Sequence, residues 1–322
     1  MTNLRAACDK LLLCLCLATV SSLAHAQASL RLIVPFTPGG PVDFVGRVLG
    51  DGLRASSAGP VIVENRPGAN GAVAIVAMKQ APADGKTLLI VSSGMITFSP
   101  YYESQLPYDV NDLLPIANAV YSDVAFIVAN KVAARDVREL VALAKSGAKP
   151  LSFASAGQGN ITHAYLELFK DAARVDLLHV PYKGAAPAMT DIIGGHVDGM
   201  FIGLATALPN AQAGKLKLLA VVGKRSALTP EVPTITEQGF PGVEILPWFG
   251  VFAARGTPPN VASALADELR AVMQNEQIRG RFAAAAFTPW FLAGGDFSDM
   301  IRKESSTWQR LIEARNLKAK PQ

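Results

Sequence analysis

Short apolar runs recur along the chain, each closed by a glycine- or proline-rich turn and followed by residues at helical spacing. The first run, Leu30 to Val34, reads as a buried parallel strand. It stops at Pro35, turns through Thr37-Pro38-Gly39-Gly40, and re-emerges as a helix whose Phe44, Val45, Val48, Leu49 and Leu53 share a face. Pro41 suits the first helical position, where its missing N–H costs nothing. Asp43 falls in the first turn, where a carboxylate accepts from free backbone N–H groups or caps its own helix. A strand, a glycine turn and a helix N-terminus together make a site for an anion.

The pattern continues in the same way. A second strand is expected at Pro60 to Glu64, a small-residue helix at Ala72 to Gln80 and a third strand at Thr87 to Val91. Ser92 and Ser93 follow that strand's C-terminal end, where open α/β sheets hold ligands; they suit a turn closing the strand equally well. From Pro115 to Lys131 an extended apolar stretch, broken by Ser122-Asp123, predicts a crossing to a second lobe, with a helix over Val132 to Lys145 after it. Then the opening arrangement returns. Leu151 to Ala154 is a strand, Ser155-Ala156-Gly157-Gln158-Gly159 a glycine loop, and Asn160 an N-cap before a helix carrying Ile161, Tyr165, Leu168 and Phe169. Strands follow at Leu177 to Val180, Val197 to Ile202 and Leu216 to Val222. Val243 to Ala253, containing Trp248-Phe249, predicts the return crossing, and a helix opened by Pro258-Pro259 and another from Phe297 end the chain. The alternation implies an α/β fold of two lobes, each a mainly parallel sheet flanked by helices, with a ligand cleft between them.

Composition narrows the class. Half the residues are hydrophobic and 17% are charged, enough for two cores. The net charge of +4 comes from scattered residues, which excludes a nucleic-acid footprint. Residues 1–26 read as a cleavable export signal: Arg5 and Lys10, an apolar run from Leu11 to Val20, then Ala24-His25-Ala26. That run is about ten residues, half of the roughly 20 needed to span a bilayer. Cys8, Cys14 and Cys16 all lie in this segment, so the mature chain has no disulfide and no cysteine metal site. The expected product is an exported soluble protein.

Several enzyme patterns fail. Gly85-Lys86-Thr87 lacks the glycine of a phosphate-binding loop and precedes a strand, and no G-x-G-x-x-G spacing marks a dinucleotide site. His163, His179 and His196 have no metal-ligand spacing, so no metal or cofactor is expected. His163, beside the second glycine loop, can donate to an anion or merely pack; His179 reads as a core residue. An exported hydrolase using Ser155 with His163 stays open, since their separation permits contact without indicating it.

Taken in order, RLIVPFTPGGPVDFVGR (31–47), VENRPGANG (63–71), LPYD (106–109), FASAGQGN (153–160), VPYKGAAPAMTDIIGGHVD (180–198), VPTITEQGFPG (232–242) and PWFGVFA (247–253) resemble the receptors of tripartite tricarboxylate transporters, the Bug-type proteins. The resemblance implies a two-lobed type II periplasmic-binding fold with two hinge crossings. Lobe 1 would comprise 27–127 and 247–322, and lobe 2 would comprise 128–246. It implies a monomer that captures a small organic carboxylate and delivers it to a two-subunit membrane permease, or reports it to a sensor. It places Phe36, Thr37, Pro38, Gly39, Gly40 and Asp43 in the site, opposed by Ser155, Ala156, Gly157, Gly159, Asn160 and His163. Phe201 and Ile202, ending a strand in the cleft, join Ser92 and Ser93 as further contacts. Val42, Asn160 and Ile202-Gly203 depart from the residues usual in the family and remove polar groups, which implies a ligand less polar than citrate or aspartate.

Overall fold

The computed structural model describes residues 29–318 apart from 57, 58, 148, 159 and 160. The expected export segment, together with Gly159 and Asn160, lies outside the described residues.

In chain order the strands are β1 (Leu30–Val34), β2 (Val61–Asn65), β3 (Thr87–Ser92), β4 (Leu113–Ser122), β5 (Val124–Ala129) and β6 (Ser152–Ser155). β7 (Leu178–Pro181), β8 (Gly199–Gly203), β9 (Leu216–Val221), β10 (Trp248–Ala254) and β11 (Phe287–Ala293) complete them. The helices are α1 (Pro41–Ser56), α2 (Ala72–Lys79), α3 (Ser99–Tyr102), α4 (Val137–Lys145) and α5 (Ile161–Ala173). After them come α6 (Ala185–Ile193), α7 (Leu204–Gln212), α8 (Pro259–Gln274), α9 (Glu276–Ala284) and α10 (Gly294–Arg315).

One sheet has the order β11-β4-β10-β3-β1-β2 and the other β7-β6-β8-β5-β9. In each, four strands run one way. β10 and β11 oppose them in the first sheet, as β5 does in the second. The reversal of β5 and β10 follows from their route. Both arrive from the other lobe, so they start at the cleft, where the strands of the βα units end. The chain changes sheets at Asp123, between β4 and β5, so the expected limit at 127/128 falls inside β5. α10 belongs to neither lobe alone. Phe297 joins the core of the first sheet, whereas Trp308, Leu311 and Ile312 join that of the second.

Strands with both faces covered have nearly continuous apolar sequences: β5 and β10 are buried at every residue. Over β1 and β2, α1 buries Val45, Val48, Leu49 and Leu53, each contributing about 1.5–3 kcal/mol. Gly46 and Gly50 bring it unusually close: a Cβ at either would stand 2.8 Å from Val34 or 2.7 Å from Val63. This close approach sets how the helix lies over the sheet.

Some elements differ from expectation. α4 starts at Val137 because Asp136 accepts the Glu139 N–H at 2.8 Å while the Glu139 carboxylate accepts from the Arg135 N–H. β11 was not expected as a strand; it survives Pro289 because it is an edge, with its register shifting after that residue.

Candidate functional site

A cavity of about 560 Å³ opens between the two sheets, beyond the C-terminal ends of β1, β3 and β6. The first sheet contributes Phe36, Thr37 and Gly40, the start of α1 at Pro41 and Val42, and Ser92 with Ser93. Ala156, Gly157, Gln158 and Ile161 face them from the second. Met95, Phe98 and Ser99, which follow β3, and Pro247 and Phe249 at the return crossing complete the wall. Among the described residues lining it, none is titratable. An anion bound here would meet dipoles and hydroxyls instead of a counter-ion.

Asp43 braces the first loop from behind. Its buried carboxylate accepts the Gly39 N–H at 2.9 Å, Arg47 Nε at 2.9 Å and Asn65 Nδ2 at 2.8 Å, and Asn65 also donates to the Phe36 carbonyl. Burial opposes its ionisation, but the bonds from Arg47, Gly39 and Asn65 prevail and hold its pKa below the ordinary value. Asp43 is therefore engaged within its own loop and does not line the cavity. Pro38 and Gly39 form the exposed tip, also off the wall, where Gly39 takes φ +89°. The N–H groups of Val42 and Asp43 lie in the first helical turn, which offers them no intrahelical acceptor.

The second loop is held differently. The Ala156 N–H donates to Thr162 Oγ1 at 2.8 Å and the Gly157 N–H to Ser155 Oγ at 3.2 Å. Ser155 is fully buried; its Oγ lies 3.0 Å from the Gly157 carbonyl oxygen and 2.7 Å from His179 Nε2, and the imidazole it meets is that of His179, not His163. His163 stacks on His179 with ring centroids 4.0 Å apart, and its Nε2 is 3.9 Å from Glu167. Burial pushes both imidazoles down to about 4, so they are neutral at physiological pH. Ser155 and His163 thus sit beneath the loop, outside the cavity wall. Phe201 and Ile202 are also off the wall: β8 is covered on both faces, and Phe201 stacks on Phe126 at 4.2 Å in the core.

Met95, Phe98 and Ser99 escaped the sequence reading because residues 94–98 wind as an irregular wide turn with no periodic signature. Phe249 belongs to the stretch expected as the return crossing. Strand alternation separates it from Trp248, which is buried with its Nε1 donating to Glu304 at 2.7 Å, and turns Phe249 to the cavity.

A family model described as the tripartite tricarboxylate transporter family receptor matches residues 45–317. The chain belongs to that family. Within it, a UPF0065 protein in the tcbD-tcbE intergenic region of Pseudomonas sp. (strain P51) is 34% identical over 303 residues, spanning 92% of this chain and 89% of its own. The structure of the periplasmic binding protein BugD is similar with a TM-score of 0.74 at 28% identity, covering 91% of this chain and 99% of that one. R. palustris Rpa4515 with adipate gives 0.76 at 28% identity, over 91% and 98%. The two sheets and their crossings are accordingly the two-lobed type II fold of these receptors.

Proposed function

We propose that this receptor is exported to the periplasm, captures a small organic carboxylate between its lobes and hands it unchanged to a two-subunit membrane permease. The observation that carries the reading is the inter-sheet cavity, open to the N-terminus of α1 and lined by no titratable group among the described residues. Helix dipoles and hydroxyls hold an anion without an ion pair that must be broken at release. The adipate bound to the R. palustris relative points to the same ligand class. The export-type pattern of residues 1–26 supports the location.

In this reading Phe36, Thr37, Gly40, Ser92, Ser93, Ala156 and Gly157 touch the ligand, while Asp43, Ser155 and His163 hold the two loops in shape. The lobes are 29–122 with 248–293, and 124–246, hinged at Asp123 and Pro247 and bridged by α10. The receptor works as a monomer without a cofactor, and Ser155 performs no catalysis because its hydroxyl is sealed beneath the second loop.

A thermal-shift screen of small carboxylates tests this directly. A true ligand at a hundredfold excess over Kd stabilises the fold by about 2.7 kcal/mol. Failure of every carboxylate to raise the melting temperature would reject the reading.

A further inference from the structure

Among the described lining residues, every hydroxyl side chain lies on the first-lobe side. On the first lobe, the α1 N-terminus at Pro41 and Val42 opens on it, with first-turn N–H groups that the helix leaves without acceptors. Beside it stands Ser93, 1% exposed, a cavity-lining residue whose Oγ has no hydrogen-bond partner. A buried hydroxyl without a partner costs free energy that a bound acceptor recovers.

The second lobe offers less. The N–H groups of Ala156 and Gly157 are committed to Thr162 and Ser155 side chains, so neither is available to a ligand. Among its described lining residues, Gln158 alone carries a polar side chain, and Ile161 is apolar. Phe36, Met95, Phe98 and Phe249 surround the remaining space.

We propose that the site takes a monocarboxylate with an apolar body, an aryl or medium-chain acid, whose carboxylate accepts from Ser93 Oγ and the α1 first turn. This rests on the carboxylate-receptor reading and narrows it. A second carboxylate would be desolvated in a cavity whose described lining holds no cation, with the Ala156 and Gly157 amides already committed. An apolar end instead gains from leaving water. The receptor would thereby differ from its adipate-bound relative, whose ligand is charged at both ends.

Isothermal calorimetry on the mature chain with hexanoate, benzoate, adipate, citrate and uncharged hexanamide tests it. Hexanoate or benzoate should bind at least about tenfold more tightly than adipate or citrate, with hexanamide weaker than hexanoate. Ser93→Ala should weaken the preferred monocarboxylate by about tenfold without lowering the melting temperature of the unliganded protein. Gln158→Ala, on the opposite wall, should change it by less than about twofold. Tighter binding of adipate or citrate overturns the inference and leaves the receptor reading standing. Unchanged affinity in Ser93→Ala also overturns it. Binding by none of the four acids rejects the receptor reading itself.

Discussion

Thr97 Oγ1 lies 2.6 Å from Glu304 Oε1 and 2.9 Å from the Ser93 carbonyl oxygen, joining the bridging helix α10 to the segment that lines the cavity. A hydroxyl has one proton and so donates to one of these oxygens only. Both contacts are hydrogen bonds when Thr97 donates to the carbonyl and a protonated Glu304 donates to Thr97. Burial pushes the Glu304 pKa up, outweighing the bonds from Thr97, Trp248 and Trp308, which agrees with a neutral carboxyl.

Glu304→Gln is therefore expected to fold normally, since a carboxamide also donates to Thr97 and accepts from Trp248. The folded pKa lies above the unfolded value of about 4.5, so the wild type loses stability as pH rises above that value. The melting temperature of Glu304→Gln relative to wild type should climb from pH 4.5 to pH 8. A difference that falls over that range would show an ionised Glu304. Glu304→Ala should cost about 2–4 kcal/mol by leaving buried donors unpaired.

The stacked pair His163 and His179 acts in the opposite direction. Both pKa values are lowered from 6.5 to about 4, so the unfolded chain binds more protons between those pH values. Stability should decline as pH falls from 6.5 to 4, by at most on the order of 3 kcal/mol for each ring. Urea titrations of wild type and His163→Asn check this. An equally steep acid loss in the variant would assign it to other groups.

Asp43→Ala removes the acceptor for Gly39, Arg47 and Asn65 at once. It should destabilise by about 2–3 kcal/mol and weaken monocarboxylate binding, because the first loop loses its brace. Circular-dichroism melts and calorimetry measure the two effects separately. Full affinity in a destabilised variant would show that the loop does not depend on this bond.

Ser155 and His179 have the spacing of a nucleophile and its base, but the serine is sealed from the cavity. Wild type and Ser155→Ala should show the same background hydrolysis of p-nitrophenyl acetate. A burst of nitrophenol lost in the variant would revive an esterase reading.

Much of this was legible from local pattern. Leu30 to Val34, Pro41 and the two glycine loops announced strand, helix start and turn, because burial periodicity and turn chemistry act over a few residues. Phe36, Thr37, Gly40, Ser92, Ser93, Ala156 and Gly157 reach the cavity wall for the same reason: they lie at or just beyond strand ends. Asp43, Ser155 and His163 sit close to those loops in sequence yet turn away from the wall, and Phe201 and Ile202 are covered within β8. Side-chain direction at such positions depends on partners far along the chain, such as Asn65 for Asp43 and His179 for Ser155.

The chain by itself determined an α/β protein with two glycine-loop units and two crossings, because hydrophobic spacing and backbone preference are local properties. Only the tertiary structure decided that Ser93 keeps an unpartnered hydroxyl, that the Ala156 and Gly157 amides are taken, and that Phe249 faces the cavity. Those facts depend on which surfaces meet when two sheets and α10 pack together, and no short stretch of sequence contains that information.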